Sequence, residues 1–485
     1  MKKSISIIGS GFSSLSAACY LAQSGYAVEI FEKNSTPGGR ARQLKRDGFV
    51  FDIGPSWYWM PDVFEKFFGD FGKKVSDYYQ LERLDPGYQV YFGKDDSILI
   101  GDSLEKIYKA FEEEEEGSAA QLKIFIEKAA DNYKIAIDEL VYRPGVSPFE
   151  LVTPDTIKKL GYFFSNVKRE VTRSFKNPKL RQILQFPVLF LGAKPEDTPA
   201  FYNFMNFADF GLGTWHPKDG MYSIVKGMAQ LAESLGVKIH LDSEVEEILT
   251  ENKKAIGVKI NGKNVMSDIV LSGADYHHTE TLLPKNLRAY SEAYWDKKTF
   301  APSSLLFYVG LNKKMKNVSH HTLFFDVDFD MHAETIYDTA RWPKEPLFYA
   351  NFPSISDPRM APKGKEACFL LIPIAPGLED TEILRNRYFN IVMERLERLT
   401  DQSLKDDILF RESFCVNDFI SVYNSYKGNA YGMANTLFQT AFLRPKLKSK
   451  KLKNLYFTGQ LTVPGPGVPP ALISGKLVAG LVEKA

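Results

Sequence analysis

The residues with the plainest chemical meaning stand near the two ends of the chain. Gly9-Ser-Gly11-Phe-Ser-Ser14 follows the apolar run Ser4–Ile8, and Glu32 closes a second apolar run, Ala27–Phe31. Glycines at 9 and 11 allow a tight turn and a close approach of main chain to a pyrophosphate. The free N–H groups of the helix that starts there attract its charge. A carboxylate about 20 residues beyond the glycines is where the ribose hydroxyls of a dinucleotide find an acceptor. Ser14 replaces the third glycine of this pattern and, as a small residue, still permits close helix packing. The same order of residue types predicts a strand at 4–8, a helix at 15–24 ended by Gly25, and a strand at 27–31. A lone glycine fingerprint is weak; the agreement of strand, helix and terminal acid raises it above a plain glycine turn.

A second glycine pair follows directly, in Asn34-Ser-Thr-Pro-Gly-Gly-Arg-Ala41. Gly38 and Gly39 let main chain lie against a ligand, and Arg40 can pair with a phosphate in a bidentate way. The stretch Gly48–Trp57 contains Gly54 and also Asp52, which reads as a turn or strand-end residue rather than a catalytic one. At the far end, Leu455-Tyr-Phe-Thr458 predicts a strand ending at Gly459. The chain then turns through Pro464-Gly-Pro-Gly467 into a helix beginning near Val468, with Pro469 and Pro470 in its first turn. Such glycines let backbone pass a planar cofactor, and the helix N-terminus favours negative charge on it.

The loop Asn34–Ala41, coming straight after the acidic residue, resembles that of the flavin-binding amine oxidase and carotenoid desaturase superfamily, in which this loop and its arginine line FAD. Gly213-Thr-Trp-His-Pro-Lys-Asp-Gly-Met221 leads into a predicted helix at 222–235, strands at 237–240 and 243–248, and a hairpin through Asn261-Gly262. That block is similar to one in carotenoid desaturases, where the strand around Val245 offers backbone to the adenine. Ser272-Gly-Ala-Asp-Tyr-His-His-Thr279 resembles the family's Ala-Asp-x-x-His-Thr segment. The C-terminal stretch resembles the terminal signature of bacterial-type phytoene desaturases, Gly-Ala-Gly-Thr-His-Pro-Gly, with Gln460, Leu461 and Val463 as departures. The resemblance covers nearly the whole chain. It implies FAD, with Gly9, Gly11, Ser14, Glu32, Gly38, Gly39, Arg40, Gly54, Val245, Gly459, Gly467 and Val468 as its contacts, and no metal. It implies desaturation of phytoene or another long polyene lipid, to lycopene or a neighbouring product, with quinone or oxygen as the electron acceptor. No catalytic base stands out; Asp209, Asp275, His277 and Glu280 remain open. A flavin-dependent carotenoid isomerase, an amine oxidase and a redox-inactive prenyl-lipid-binding protein on the same fold are the rival readings.

The expected fold class is α/β (α+β overall). It comprises a Rossmann-type FAD-binding domain, a mixed-sheet substrate domain and a helical, membrane-facing region. The FAD-binding domain is discontinuous (1–105, 211–285 and 441–485), the helical region spans 106–210, and the substrate domain spans 286–440. A chain of 485 residues, 44% hydrophobic and 25% charged, has material for such a core. The net charge of +1 makes nucleic acid a poor partner. Cys19, Cys368 and Cys415 match neither a disulfide framework nor metal spacing. The opening MKKSISIIGSG is interrupted by Gly9 and Gly11 too early for a signal peptide, and no run approaches the roughly 20 apolar residues of a membrane span. Glu112–Glu116 reads as a solvated helix face or loop edge. Lys158, Lys159, Lys168, Arg169, Arg173, Lys176, Lys179 and Arg181 interleave with Tyr162, Phe163, Phe164 and Phe175, ahead of the apolar run Ile183–Leu191. That mixture suits helices in a lipid interface. The expected location is therefore cytoplasmic, peripheral on the inner face of the cell membrane.

Overall fold

The computed structural model describes residues 2–159, 161, 165–190 and 192–485. Its dinucleotide side is a five-stranded parallel sheet in the order Leu455–Phe457, Ile269–Ser272, Ser4–Ile8, Ala27–Phe31, Lys238–His240. Strands far apart in sequence thus meet in one sheet, as a discontinuous domain requires. The helix Phe12–Gln23 joins Ser4–Ile8 to Ala27–Phe31 and packs on the terminal helix Val468–Glu483. Gly475 makes that packing possible: a Cβ there would stand 2.5 Å from the Ser13 carbonyl oxygen and 2.7 Å from the Ala17 nitrogen. Ser16 Oγ adds a hydrogen bond to the Leu472 carbonyl at 2.7 Å.

A three-stranded antiparallel sheet, Val245–Glu251, Lys254–Ile260 and Lys263–Met266, lies beside it. Its second hairpin turns at Asn261 and Gly262, both with positive φ (49° and 73°), as a two-residue turn of this type demands. Asp52 accepts hydrogen bonds from the Met221 and Tyr222 nitrogens (2.7 and 3.1 Å), holding the start of the helix Tyr222–Ser234.

The substrate-side sheet has seven strands, in the order Ile408–Phe414, Ser303–Leu311, Glu366–Ile374, Phe348–Asn351, His321–Phe324, Tyr88–Gly93, Asp96–Ile100. All neighbours are antiparallel except His321–Phe324 with Tyr88–Gly93. Sequence order assigns residues 88–100 to the dinucleotide unit, whereas their main-chain pairing makes them the edge of this other sheet. Side chains alternate between faces. Leu305, Phe307, Leu370 and Ile372 pack with Tyr388, Val392 and Leu396 of the helix Glu382–Thr400, while Leu306, Tyr308 and Leu371 face the opposite cluster with Phe51 and Phe186.

The helical region corrects one expectation. Ile183, Leu184, Phe186 and Val188 are fully buried and belong to the core, as does Phe175. Those side chains, enclosed by protein, are not available to lipid. Lys168 is paired with Asp330 and Glu196 (2.9 and 3.2 Å) and Lys179 with Asp96 and Glu114 (2.6 and 3.1 Å). Tyr162, Phe163 and Phe164 lie outside the described residues. Among the described residues no helix is long and apolar enough to cross a membrane.

Candidate functional site

One large cavity, of about 770 Å³, runs between the two sheets and collects the glycine loops along one wall. Gly9, Gly11, Glu32, Gly38, Gly39, Arg40, Gly54, Val245, Gly459, Gly467 and Val468 all line it. Ser14 does not. It is fully buried behind the wall, where its side chain packs against Gly273, so that a Cβ on Gly273 would lie 3.3 Å from Ser14 Cβ. The small residue at this position permits the close approach of the helix start to Gly273, and its Oγ is buried without a partner.

The loops are tied to one another before any ligand is considered. Glu32, at the end of its strand and 3% exposed, accepts at one carboxylate oxygen from Ser10 N and Oγ (2.9 and 2.7 Å). Its other oxygen accepts from Asn34 N and Nδ2 (2.9 and 2.7 Å). Gly39 lies so close to the first loop that a Cβ on it would stand 3.2 Å from Gly11 Cα, and its φ of +57° suits glycine. Gly38 N donates to the Ser10 carbonyl at 3.0 Å. A Cβ on Gly11, by contrast, meets nothing within 4 Å, so the space above the helix start is open.

Arg40 stands inside this wall. Its guanidinium donates to Ser425 Oγ at 2.9 Å and lies over the Tyr423 ring, 5.5 Å from its centroid, while its Nε is buried without a partner. Burial pulls it below its ordinary basicity, opposed by the nearby Asp275 carboxylate. Gln460, one of the departures in the terminal signature, faces this group. With its amide turned to satisfy both ends, its oxygen accepts from Arg40 at 3.0 and 3.3 Å and its nitrogen donates to the Tyr431 carbonyl. Leu461 and Val463, the other two departures, are buried apolar residues. An open helix N-terminus, an unpartnered donor on a buried cation and a carboxylate ringed by small polar donors fit a dinucleotide phosphate and ribose.

The open base candidates separate. Asp275 lines the cavity, accepts from the His278 and Tyr426 nitrogens (both 3.3 Å), and is pushed upward by burial with Arg40 opposing. Asp209 is off the wall; Tyr88 donates to it at 2.8 Å, and burial raises it to about 8. His277 is paired with Glu292 at 2.8 Å, and Glu280 holds the Ala289 and Tyr290 nitrogens (2.6 and 3.3 Å); neither reaches the cavity. Spacing in the sequence did not single out Ser10, His278, Tyr423 or Tyr349 as cavity-lining. Ser10 lies between the two fingerprint glycines and His278 is the histidine of the Ala-Asp-x-x-His-Thr segment, whereas Tyr423 and Tyr349 carried no signal.

Residues 12–482 match the family described as flavin containing amine oxidoreductase. The chain belongs to that family. Its relatives include a carotenoid 3,4-desaturase of Haloarcula japonica, 41% identical over 99% of this chain and 98% of the relative. A ζ-carotene-forming phytoene desaturase of Myxococcus xanthus is 32% identical over 98% and 92%. The fold is shared with an oxidoreductase from Methanosarcina mazei at a TM-score of 0.64 and 18% identity, covering 99% of this chain and all of the other. The protein is a flavin-dependent oxidoreductase of the carotenoid desaturase type, and FAD is its cofactor.

Proposed function

We propose that the protein desaturates phytoene, to lycopene or a neighbouring product. The observation that carries this reading is the continuity of the cavity. One cavity takes in the glycine loops, the residues Ser56, Trp57, Tyr349 and Phe186, and the surface residues Leu437, Phe438 and Leu443, with largely apolar walls. A long hydrocarbon needs such a passage, and a small amine does not. Bound FAD supplies a two-electron acceptor, so that one substrate hydrogen leaves as hydride and its neighbour as a proton. In this reading Gly9, Gly11, Glu32, Gly38, Gly39 and Arg40 hold the dinucleotide, with Gly54, Val245, Gly459, Gly467 and Val468 along the rest of the cofactor. The buried walls exclude water from the reacting carbons.

A membrane surface is the source of such a substrate. The loops that flank the cavity mouth support contact there rather than at the buried helices. Phe149 and Phe438 are 81% and 78% exposed, with Val146, Val152, Leu437 and Leu443 around them. Lys446 Nζ joins the two loops by donating to the Gly145 and Phe442 carbonyls, both at 2.7 Å. The inner face of the cell membrane, with a quinone or oxygen as the final acceptor, is the setting this implies.

3,4-Desaturation of a carotenoid is the second reading, favoured by the higher identity to the Haloarcula japonica relative. Coexpression with a phytoene-forming pathway, followed by mass and absorbance analysis of the pigments, decides between them. Loss of hydrogen pairs from phytoene with lengthening conjugation is the expected result. Untouched phytoene there, with hydrogen lost from the pigment when a lycopene-forming pathway is used instead, selects the second reading. A changed isomer with unchanged mass points to an isomerase, and a purified protein without a flavin spectrum to a lipid carrier.

A further inference from the structure

Behind the cavity wall three histidine rings lie in a row that ends near the surface. Tyr349, in the middle of the seven-stranded sheet, lines the cavity; its hydroxyl is 3.0 Å from Ser56 Oγ and 2.6 Å from His321 Nδ1. Ser56 is two residues past Gly54, so this is the stretch of cavity next to the cofactor loops. The His321 ring stacks on Trp57, with centroids 4.1 Å apart and planes 11° from parallel. The His320 ring is 4.4 Å from that of His321, and the His216 ring 4.6 Å from that of His320. His320 Nδ1 is hydrogen-bonded to the hydroxyl of Ser356, which is partly exposed. His216 Nε2 stands 3.6 Å from Asp357, whose carboxylate is gripped by Arg359 at the surface (2.8 and 2.9 Å).

The hydrogen bonds fix the direction of the His321 ring. Asn351 Nδ2, a donor only, lies 3.3 Å from the same Nδ1 that faces the Tyr349 hydroxyl. Nδ1 is therefore the acceptor and the proton sits on Nε2, which is buried with no partner. A core gains nothing from such a group. An unpaired N–H and three adjacent imidazoles cost more to bury than aliphatic side chains of the same volume. Burial holds His320 and His321 well below the ordinary range, in the neutral form that can both accept and donate.

We propose that Tyr349, backed by His321, takes the proton released in desaturation and hands its own proton to His321 Nδ1. The inference rests on the desaturase reading of the site. The C–H bond next to the carbon that loses hydride breaks heterolytically, and its electron pair closes the new C=C bond. The proton goes to the Tyr349 oxygen as the Tyr349 O–H proton moves to His321 Nδ1. Tyrosine ends neutral, as it began, and His321 becomes an imidazolium. The excess proton returns through the Tyr349 hydroxyl to solvent once the product has left the cavity, which restores the neutral His321 ring. A weak base suffices, because a proton adjacent to an allylic cation is strongly acidic. Tyr349 is the group that touches substrate; His321 is the positioning residue that acts through it.

The test uses the FAD-loaded protein with phytoene in liposomes. Tyr349→Phe and His321→Gln should each lower kcat by about 100-fold, in the range of lost acid–base catalysis, with KM, flavin absorbance and Tm close to those of the parent. The solvent deuterium isotope effect on kcat should change in both variants and stay unaltered in a Ser303→Ala control away from the relay. A second readout needs no turnover: with ¹⁵N-labelled histidine, one neutral ring in the Nε2–H form should persist from pH 6 to pH 9 and shift in Tyr349→Phe. Full kcat with an unaltered isotope effect in Tyr349→Phe, while the parent desaturates phytoene, overturns the relay and leaves the desaturase reading standing. So does a resting Nδ1–H ring for His321. A parent protein inactive on every polyene sinks the reading on which the relay rests.

Discussion

Glu32 and Ser10 are joined twice, the carboxylate accepting from both the main-chain nitrogen and the hydroxyl of Ser10 at 2.9 and 2.7 Å. With Asn34 on the other oxygen, the acid at the end of the second strand sets the position of both glycine loops. A ribose diol would bind by displacing a side-chain donor, Ser10 Oγ or Asn34 Nδ2, while the two main-chain bonds stay. Glu32→Ala should then weaken FAD binding by about 10- to 100-fold, the cost of losing one or two charged hydrogen bonds. Titrating apoprotein with FAD and following the quench of flavin fluorescence measures it. Unchanged affinity with a lowered Tm would reduce Glu32 to a tie between loops.

The terminal helix tests a close approach. Gly475→Ala forces a Cβ against the Ser13 oxygen and the Ala17 nitrogen, both backbone atoms of the dinucleotide helix. A loss of about 1–3 kcal/mol is expected from such overpacking. Gly480 lies in the same helix, where an added Cβ would meet nothing within 4 Å. There the same change should stabilise by about 0.5–1 kcal/mol through helix propensity alone. Denaturant unfolding of the two variants separates them; equal effects would mean that the helix contact is looser than these distances imply.

What was legible in the sequence follows from how local each signal is. The βαβ unit, the Asn261-Gly262 hairpin and the helix from Val468 are written in adjacent residues, and the strands and helices form where turn chemistry and apolar runs put them. Strand pairing is not local. Nothing within Tyr88–Ile100 says that it will add to a strand some 230 residues away, His321–Phe324. The helical region misled for a related reason. A basic, aromatic composition next to an apolar run looks the same whether lipid or protein covers it, and only the surrounding sheet decides that Ile183 and Phe186 are core. Tyr349 and His321 lacked any motif, because their relation is made by sheet register and the stacking of His321 on Trp57.

Asp209 gives a pH signature. Its value is raised to about 8 in the folded chain by burial, against about 3.9 for an unfolded aspartate. Between these values the folded chain binds more protons than the unfolded one, so this group makes stability fall as pH rises through that window. One carboxylate oxygen is also buried with no partner. Asp209→Asn keeps an acceptor for the Tyr88 hydroxyl and removes the charge. The variant should match the parent near pH 4 and exceed it at pH 9, by roughly 2 °C or more in Tm. Thermal unfolding at the two pH values checks this, and an equal Tm difference at both would mean that Asp209 does not titrate in the folded chain.

The surface loops offer the sharpest test of where the substrate enters. Phe149 is 81% exposed and Val152 60%, on a loop that Lys446 fastens to the loop carrying Phe438. Neither Phe149 nor Val152 lines the cavity, so changing them leaves the walls intact. Inserting a phenyl ring into the lipid interface contributes about 1.5–3 kcal/mol, so Phe149→Asp with Val152→Ser should cut vesicle binding by at least about 10-fold. Flotation with neutral phosphatidylcholine vesicles measures that loss, and the choice of lipid removes any contribution from basic patches. With phytoene embedded in the same vesicles the apparent KM should rise, whereas with detergent-dispersed phytoene the rate should hold. If the double variant floats with vesicles as well as the parent, the mouth of the cavity is not the membrane contact, and lipid must meet another face of the molecule.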